Sequence, residues 1–464
     1  MSYIFKNHAR REFLKRTAAF GALGVAGGSA LNMAAMGRAA ANGVGDYKAL
    51  VCVFLYGAND NYNTFVPYDL DSYNAYASAR PTLATARAAL NGSVLTPQQA
   101  LPDGKSFALA PQLGNMNQLW TEDKMGILLN VGPLEQPTTK QQYTQNSVPI
   151  PPRIFSHNDQ QSVWQSLQAE GSTTGWGGRM ADYFLTGDSV TDMFSAISVT
   201  GNSLFLSGDA VIPYQVTPEG SISLITSAEP AYGSQAVSDA VNAIMANQLT
   251  PLNDINLIKE AHVEVVNRSI LADQILENAL NGVNLNTSFS SGPLSSQLNM
   301  VAKIIAARNT LGNNRQVFFV GLGGFDVHSD QLENHPPLLE EVNRAMQEFF
   351  DATTELQLAD QITTFTASDF GRTLSSNGDG TDHGWGGHHM IMGGAVNGGT
   401  YYGLAPELGD NGIDDVGRGR LLPTTSVTQM ASTLGIWFGC SPSEIEDILP
   451  SIIEYSQQDL GFLS

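Results

Sequence analysis

Five short apolar runs constrain this 464-residue chain more than any other feature. They are Leu50 to Tyr56, Met125 to Val131, Gln316 to Leu322, Ile362 to Thr366, and Met390 to Met392 with its neighbours. None alternates cleanly between apolar and polar positions, so both faces of each strand must meet apolar partners. A mostly parallel sheet covered on both sides by helices imposes that pattern. The expected fold class is therefore α/β, a mostly parallel sheet flanked by helices.

The covering helices are also readable. After Pro336-Pro337, the residues Leu338, Leu339, Val342, Met346, Phe349 and Phe350 recur at helical spacing and predict one buried stripe. Val427, Met430, Ala431, Leu434, Trp437 and Phe438 repeat it, and Ser441 with Glu444 predicts a capping box on a last short helix. Two stretches break the rhythm: a β-rich insertion is expected over about 195–235 and a helical one over 236–315. Residues 135–153, rich in Gln, Pro and Thr, read as a long mobile loop.

At the front, Arg10-Arg11 precedes a weakly apolar, Gly- and Ala-rich stretch from Ala18 to Ala35, the anatomy of a twin-arginine signal peptide over residues 1–41. Gly27, Gly28, Ser29 and Asn32 interrupt the stretch, so no stable membrane anchor is expected. Residues 1–41 hold six of the 23 basic and one of the 44 acidic residues; the remainder, 42–464, has 17 against 43 and a formal charge of −26. A surface that acidic repels nucleic acid and anionic lipid, and repels anionic substrates unless cations reverse the local sign. Cys52 and Cys440 are too few for a disulfide framework and are expected to be buried free thiols.

Of eight histidines, His328, His335, His383, His388 and His389 fall within about sixty residues. Asp326 and His328 follow one strand and share a face if the segment is extended, which suits metal ligation or a plain loop ion pair. Asp369 emerges where another strand ends, and Arg372 offers a planar fork to an oxyanion or to an acid. Asp382, His383, His388 and His389 lie around a glycine-dense loop that lets backbone approach a ligand closely. Asp60 follows the first strand in an Asx-rich turn. Ser156 precedes a helix, as an N-cap or as a nucleophilic hydroxyl activated by metal and by the helix N-terminus.

The leader, Gly57-x-Asn59-Asp60-x-x-Asn63, Ser156-His157, Gly324-x-Asp326-x-His328, Asp369-Phe370-Gly371-Arg372-Thr373, Asp382-His383 and the Gly417-Arg418-Gly419-Arg420-Leu421-Leu422-Pro423-Thr424-Thr425 passage resemble the exported bacterial family of unknown function numbered 1501. That family is similar to the alkaline phosphatase and sulfatase superfamily. The resemblance implies an alkaline phosphatase-like domain over 42–464, with Asp326, His328 and His383 on one metal, Asp60 and Asp369 on a second, and Ser156 as nucleophile; from its planar fork, Arg372 is expected to clamp an equatorial oxygen. Asp382 and His388 complete the expected ligands. The chain departs from the superfamily at Phe370, where an Asp-His pair is usual, and lacks the usual sulfatase signature.

The expected function is thus an exported, periplasmic or secreted, metal-dependent hydrolase of phosphate or sulfate esters. Its alternatives are a catalytically silent metal-binding protein serving secretion or surface assembly, and a metal-dependent enzyme of different chemistry, such as a carbohydrate-modifying hydrolase. Histidine ligands favour zinc or manganese over calcium or magnesium. Expected partners are a small-molecule or polysaccharide ester and, during export, the twin-arginine translocase.

Overall fold

A computed structural model describes residues 47–168, 171–221, 234–239, 243, 257–409 and 412–464; residues 1–41, where a signal peptide is expected, lie outside them. All five apolar runs are strands: β1 Lys48–Leu55, β2 Met125–Gly132, then, after β3 Ala196–Ser198 and β4 Tyr214–Thr217, β5 Arg315–Leu322, β6 Ile362–Ser368 and β7 Gly387–Met392. They belong to a ten-stranded sheet in which the order runs Tyr401–Tyr402, β2, β7, β6, β1, β5, β3, β4, Gly220–Ser221, with the tenth strand, Thr425–Ser426, also pairing β2. The β6, β1, β5, β3 and β4 pairings are parallel, and β7 runs antiparallel to both β2 and β6.

The missing alternation has its cause in two hydrophobic layers. Ala49, Val51, Val53 and Leu55 of β1 point into one, and Leu50, Cys52 and Phe54 into the other. In β5, Phe318, Val320 and Leu322 face the first layer while Val317 and Phe319 face the second. Each fully buried large apolar side chain stabilises the fold by roughly 1.5–3 kcal/mol, so a charge at any of these positions has no tolerable face.

Helices α1 Lys140–Gln145, α2 His157–Ser166, α3 Leu257–Leu280, α4 Pro293–Ala306, α5 Gln331–Glu355, α6 Val427–Phe438 and α7 Pro442–Ile448 accompany the sheet. The first layer packs under α4 and α5, and the second under α6 with Trp164 and Trp176. Ser441 N–H donates to Glu444 at 2.8 Å, the expected cap on α7. Cys52 and Cys440 are buried and form no disulfide, as expected. No helix among the described residues is long and apolar enough to cross a membrane.

Three local expectations change. The 135–153 loop contains α1, capped by the reciprocal Thr139–Gln142 box. The described strands β3 and β4 of the 195–235 stretch extend the edge of the main sheet through β5 instead of forming a separate element. Helix α5 begins at Gln331 and runs through both prolines. Its first turns are held from outside: the Gln331 side chain bonds Asp60 and accepts from Thr381 Oγ1, and His335 Nε2 meets Asn59 Oδ1 at 2.9 Å. Those contacts outweigh the backbone donors the prolines lack.

Candidate metal centre

Parallel register places the ends of three strands together, Leu55 opposite Leu322 on one side and Ser368 on the other. Ligand sites in open α/β sheets lie at this carboxyl edge. Gly57 makes the closure possible. A Cβ there would lie 2.4 Å from the Asp326 backbone nitrogen, and its φ of +105° is one that L side chains rarely adopt.

Beyond these ends four ligand atoms converge. Asp326 Oδ1 lies 2.9 Å from His328 Nε2 and 3.4 Å from both His157 Nε2 and His383 Nε2. His383 Nε2 is 2.9 Å from His328 Nε2 and 3.0 Å from His157 Nε2. A tetrahedral ion with ligands at about 2.0–2.2 Å would separate them by roughly 3.3–3.6 Å, close to these spacings. His157, Asp326 and His383 are mutually close enough to share one ion.

The far nitrogen of each ring decides the chemistry. His157 Nδ1 meets Asp369 Oδ2 at 2.5 Å, His383 Nδ1 meets the Phe155 carbonyl at 2.8 Å, and His328 Nδ1 meets Asp382 Oδ1 at 3.3 Å. Each acceptor assigns the proton to Nδ1, which leaves the Nε2 lone pair facing the cluster, the tautomer that metal ligation needs. Two imidazole lone pairs at 3 Å gain nothing from each other, whereas a shared cation satisfies both.

The electrostatics divide between the rings: a lowered pKa keeps Nε2 unprotonated, and a raised one favours a proton there that a bound cation would have to displace. The hydrogen bond to Asp369 raises the His157 pKa against the opposing effect of burial. Burial lowers that of His383. Burial would raise the Asp326 pKa, but the hydrogen bond and charge of Arg372 hold it below the ordinary carboxylate value. Asp326 and His328 side chains are 44% exposed, so the cluster opens to solvent.

The expected residues divide. Asp326, His328 and His383 come together, with a tight turn at Asp326, where Val327 N–H bonds the Phe325 carbonyl at 2.9 Å, in place of the extended segment expected. Asp60 does not join them: Arg80 binds both its oxygens at 2.6 and 2.8 Å, and the pair is fully buried. With Gln331 and the Tyr62 N–H also on that carboxylate, Asp60 is saturated. Asp369 and Asp382 stand behind His157 and His328 as hydrogen-bond partners. His388 is a core residue of β7, its Nδ1 accepting from Asn130 N–H at 2.8 Å and its ring edge-on to Tyr62, Phe65 and Phe107. Burial lowers its pKa to about 3.

Arg372 cannot serve as an oxyanion clamp. Its side chain is inaccessible and donates to Asp326 Oδ1 at 2.6 Å, to Thr381 and to the Gly57 carbonyl. The glycine-dense loop brings chain against chain: a Cβ on Gly371 would lie 2.0 Å from the Gly386 carbonyl oxygen. Ser156 does occupy the N-cap position of α2, but its side chain accepts no cap bond; its hydroxyl donates to Asp159 Oδ2 at 2.5 Å.

His157 is the member of the cluster that sequence reasoning missed. It lay inside the quoted Ser156-His157 pair, and the serine drew attention because helix N-termini favour hydroxyls. Arg80 left no local signal, being one arginine after a helical stretch.

A family described as "Protein of unknown function (DUF1501)" matches residues 47–449. No curated relative matches the sequence. Among solved structures, the PsFucS1 sulfatase from Pseudoalteromonas sp. is 9% identical, the match covering 94% of this chain and 75% of that chain at a TM-score of 0.35. The lipoteichoic acid synthase LtaP from Listeria monocytogenes is 8% identical over 90% of this chain and 74% of that chain, at a TM-score of 0.32. Alkaline phosphatase from the Antarctic bacterium TAB5 is 10% identical over 87% and 99%, at 0.27.

Proposed function

This chain belongs to the DUF1501 family, and we propose that it is an exported metal-dependent hydrolase of phosphate or sulfate esters. The observation that carries the proposal is the convergence of three Nε2 atoms on Asp326 Oδ1, each ring with its Nδ1 on an acceptor. His157, His328, His383 and Asp326 would hold one divalent ion, and three imidazoles with one carboxylate suit zinc best. Such an ion supplies charge neutralisation at ester oxygens and Lewis acidity.

The chain's own groups account for the rest. Asp369, Asp382 and the Phe155 carbonyl fix the three rings, and Arg372 fixes Asp326. Ser156, one residue before His157, has its hydroxyl on a carboxylate instead of on the helix backbone, the pairing of a nucleophile with its base. Its Oγ forms the new bond to phosphorus or sulfur while its proton passes to Asp159 Oδ2. The leaving oxygen departs with the electron pair of the broken ester bond and takes a proton from water. Water then hydrolyses the seryl ester.

A panel of aryl phosphate, phosphodiester and sulfate esters tests this with zinc-loaded protein. We expect turnover of at least one class, a loss of about 100-fold or more in Ser156→Ala with metal retained, and loss of metal and turnover together in His383→Ala. Full zinc occupancy with no turnover across the panel overturns the enzymatic reading. It would favour the second reading, a catalytically silent metal-binding protein, which is supported by Phe370 packing against His157 and His383 with ring centres 4.8 and 4.9 Å away. Export by the twin-arginine route belongs to the same proposal and rests on Arg10-Arg11; a lysine pair there is expected to leave the protein in the cytoplasmic fraction, and unchanged export removes that part.

A further inference from the structure

With Arg372 committed to Asp326, the centre lacks the cation expected to receive a substrate anion. The Gly417 to Thr425 passage supplies one. Arg420 Nε donates to the His383 carbonyl at 3.2 Å, and its guanidinium lies 4.2 Å from the centre of the Phe155 ring. Both contacts lead to the metal cluster, because the Phe155 carbonyl receives His383 Nδ1. The side chain is therefore oriented, yet its two terminal nitrogens have no partner among the described residues. No described carboxylate pairs with it, although acidic residues outnumber basic ones 44 to 23 in this chain. An oriented arginine with a free planar fork is matched to the two oxygens of a phosphate, sulfate or carboxylate.

The same phenyl ring lines a cleft of about 710 Å³, walled also by Tyr143, Ile150, Ile154 and Val416. Val416 N–H bonds the Arg420 carbonyl at 2.9 Å, tying that wall to the arginine. Arg153, the charged residue of the cleft, is paired with Asp159 at 3.1 Å. Thr144, Asn146 and Ser156 complete a mixed lining, whose apolar part beside an anion fork fits an uncharged, apolar leaving group.

We propose that Arg420 is the anion-recognition residue of this site, and that the substrate is an anionic ester with an apolar leaving group lying in the Phe155 cleft. The inference rests on the ester-hydrolase reading, but its test does not need turnover. Inorganic phosphate, methylphosphonate and benzylphosphonate are titrated calorimetrically into zinc-loaded protein. Arg420→Gln is expected to weaken phosphate about 10–100-fold, and Arg420→Lys, which keeps charge without the fork, by less, with zinc stoichiometry unchanged in both. Benzylphosphonate should bind about tenfold or more tightly than methylphosphonate. Phosphate affinity unchanged in Arg420→Gln, or no phosphate binding by the wild type, overturns the anion role; equal affinity for the two phosphonates overturns the apolar leaving group. If Arg420-dependent binding persists while no ester is turned over, the hydrolase reading fails and this one stands. Absence of zinc from wild-type protein removes the metal reading instead.

Discussion

Asp369 Oδ2 lies 2.5 Å from His157 Nδ1 across 212 residues of sequence, and it is this carboxylate that turns His157 toward the cluster. The same oxygen accepts from Gln161 Nε2 at 3.1 Å and from Gly57 N–H at 3.2 Å, so the end of β1, the end of β6 and helix α2 are tied at one atom. An acid at a strand end thus acts on the histidine cluster through an imidazole.

Replacing that acid should weaken the metal without dismantling the site. Asp369→Asn is expected to reduce zinc affinity about 10–100-fold, because the ring loses its anionic partner and part of its basicity. Chelator competition measures it, and an affinity equal to wild type would refute the arrangement.

The histidines should separate by role. His157→Ala is expected to lower zinc occupancy sharply with little loss of fold stability, as its side chain is partly exposed at 24%. His388→Ala should retain one zinc per chain and lose about 2–4 kcal/mol of stability, since it empties a fully packed position and strands the Asn130 N–H. Elemental analysis beside urea unfolding distinguishes the two, and the reverse pattern would show the ligand set to be wrong.

Arg80 and Asp60 form a fully buried ion pair, and removing one member leaves the other uncompensated. Arg80→Met is predicted to cost about 3–5 kcal/mol. The double variant Arg80→Met with Asp60→Asn should recover part of that loss, and both should bind one zinc per chain. A second bound zinc in wild-type protein would contradict the saturation of Asp60 by arginine.

Acid should destabilise the metal-free protein through its buried imidazoles. Burial lowers the pKa of His335 to about 4 and those of His388 and His389 to about 3. Below the unfolded value near 6.5 the unfolded chain binds protons that the folded chain refuses, so stability falls as pH drops from about 6.5 toward 3–4, by up to about 1.4 kcal/mol per pH unit for each histidine. His383, also lowered, acts in the same direction; His157, raised by Asp369, acts in the opposite one. The net expectation is a clear decline in unfolding free energy between pH 6.5 and 5, before most carboxylates titrate. A flat profile over that interval would mean these rings are hydrated.

Sequence by itself determined the strands, the two-sided apolar packing of the sheet and the helices that cover it. Apolar spacing is a local property, and β1 reads as a doubly buried strand whatever lies beside it. The two-residue spacing suggested that Asp326 and His328 lie near each other, and only the family resemblance added His383 to them. Tertiary structure alone decided which other groups join them. Arg80 claims Asp60, Arg372 turns inward to Asp326, and His157 enters because α2 packs across the ends of β1 and β6. Those choices depend on distances between segments 20 to more than 200 residues apart, and the carboxylates carry no local mark of whether a cation, a guanidinium or an imidazole will face them.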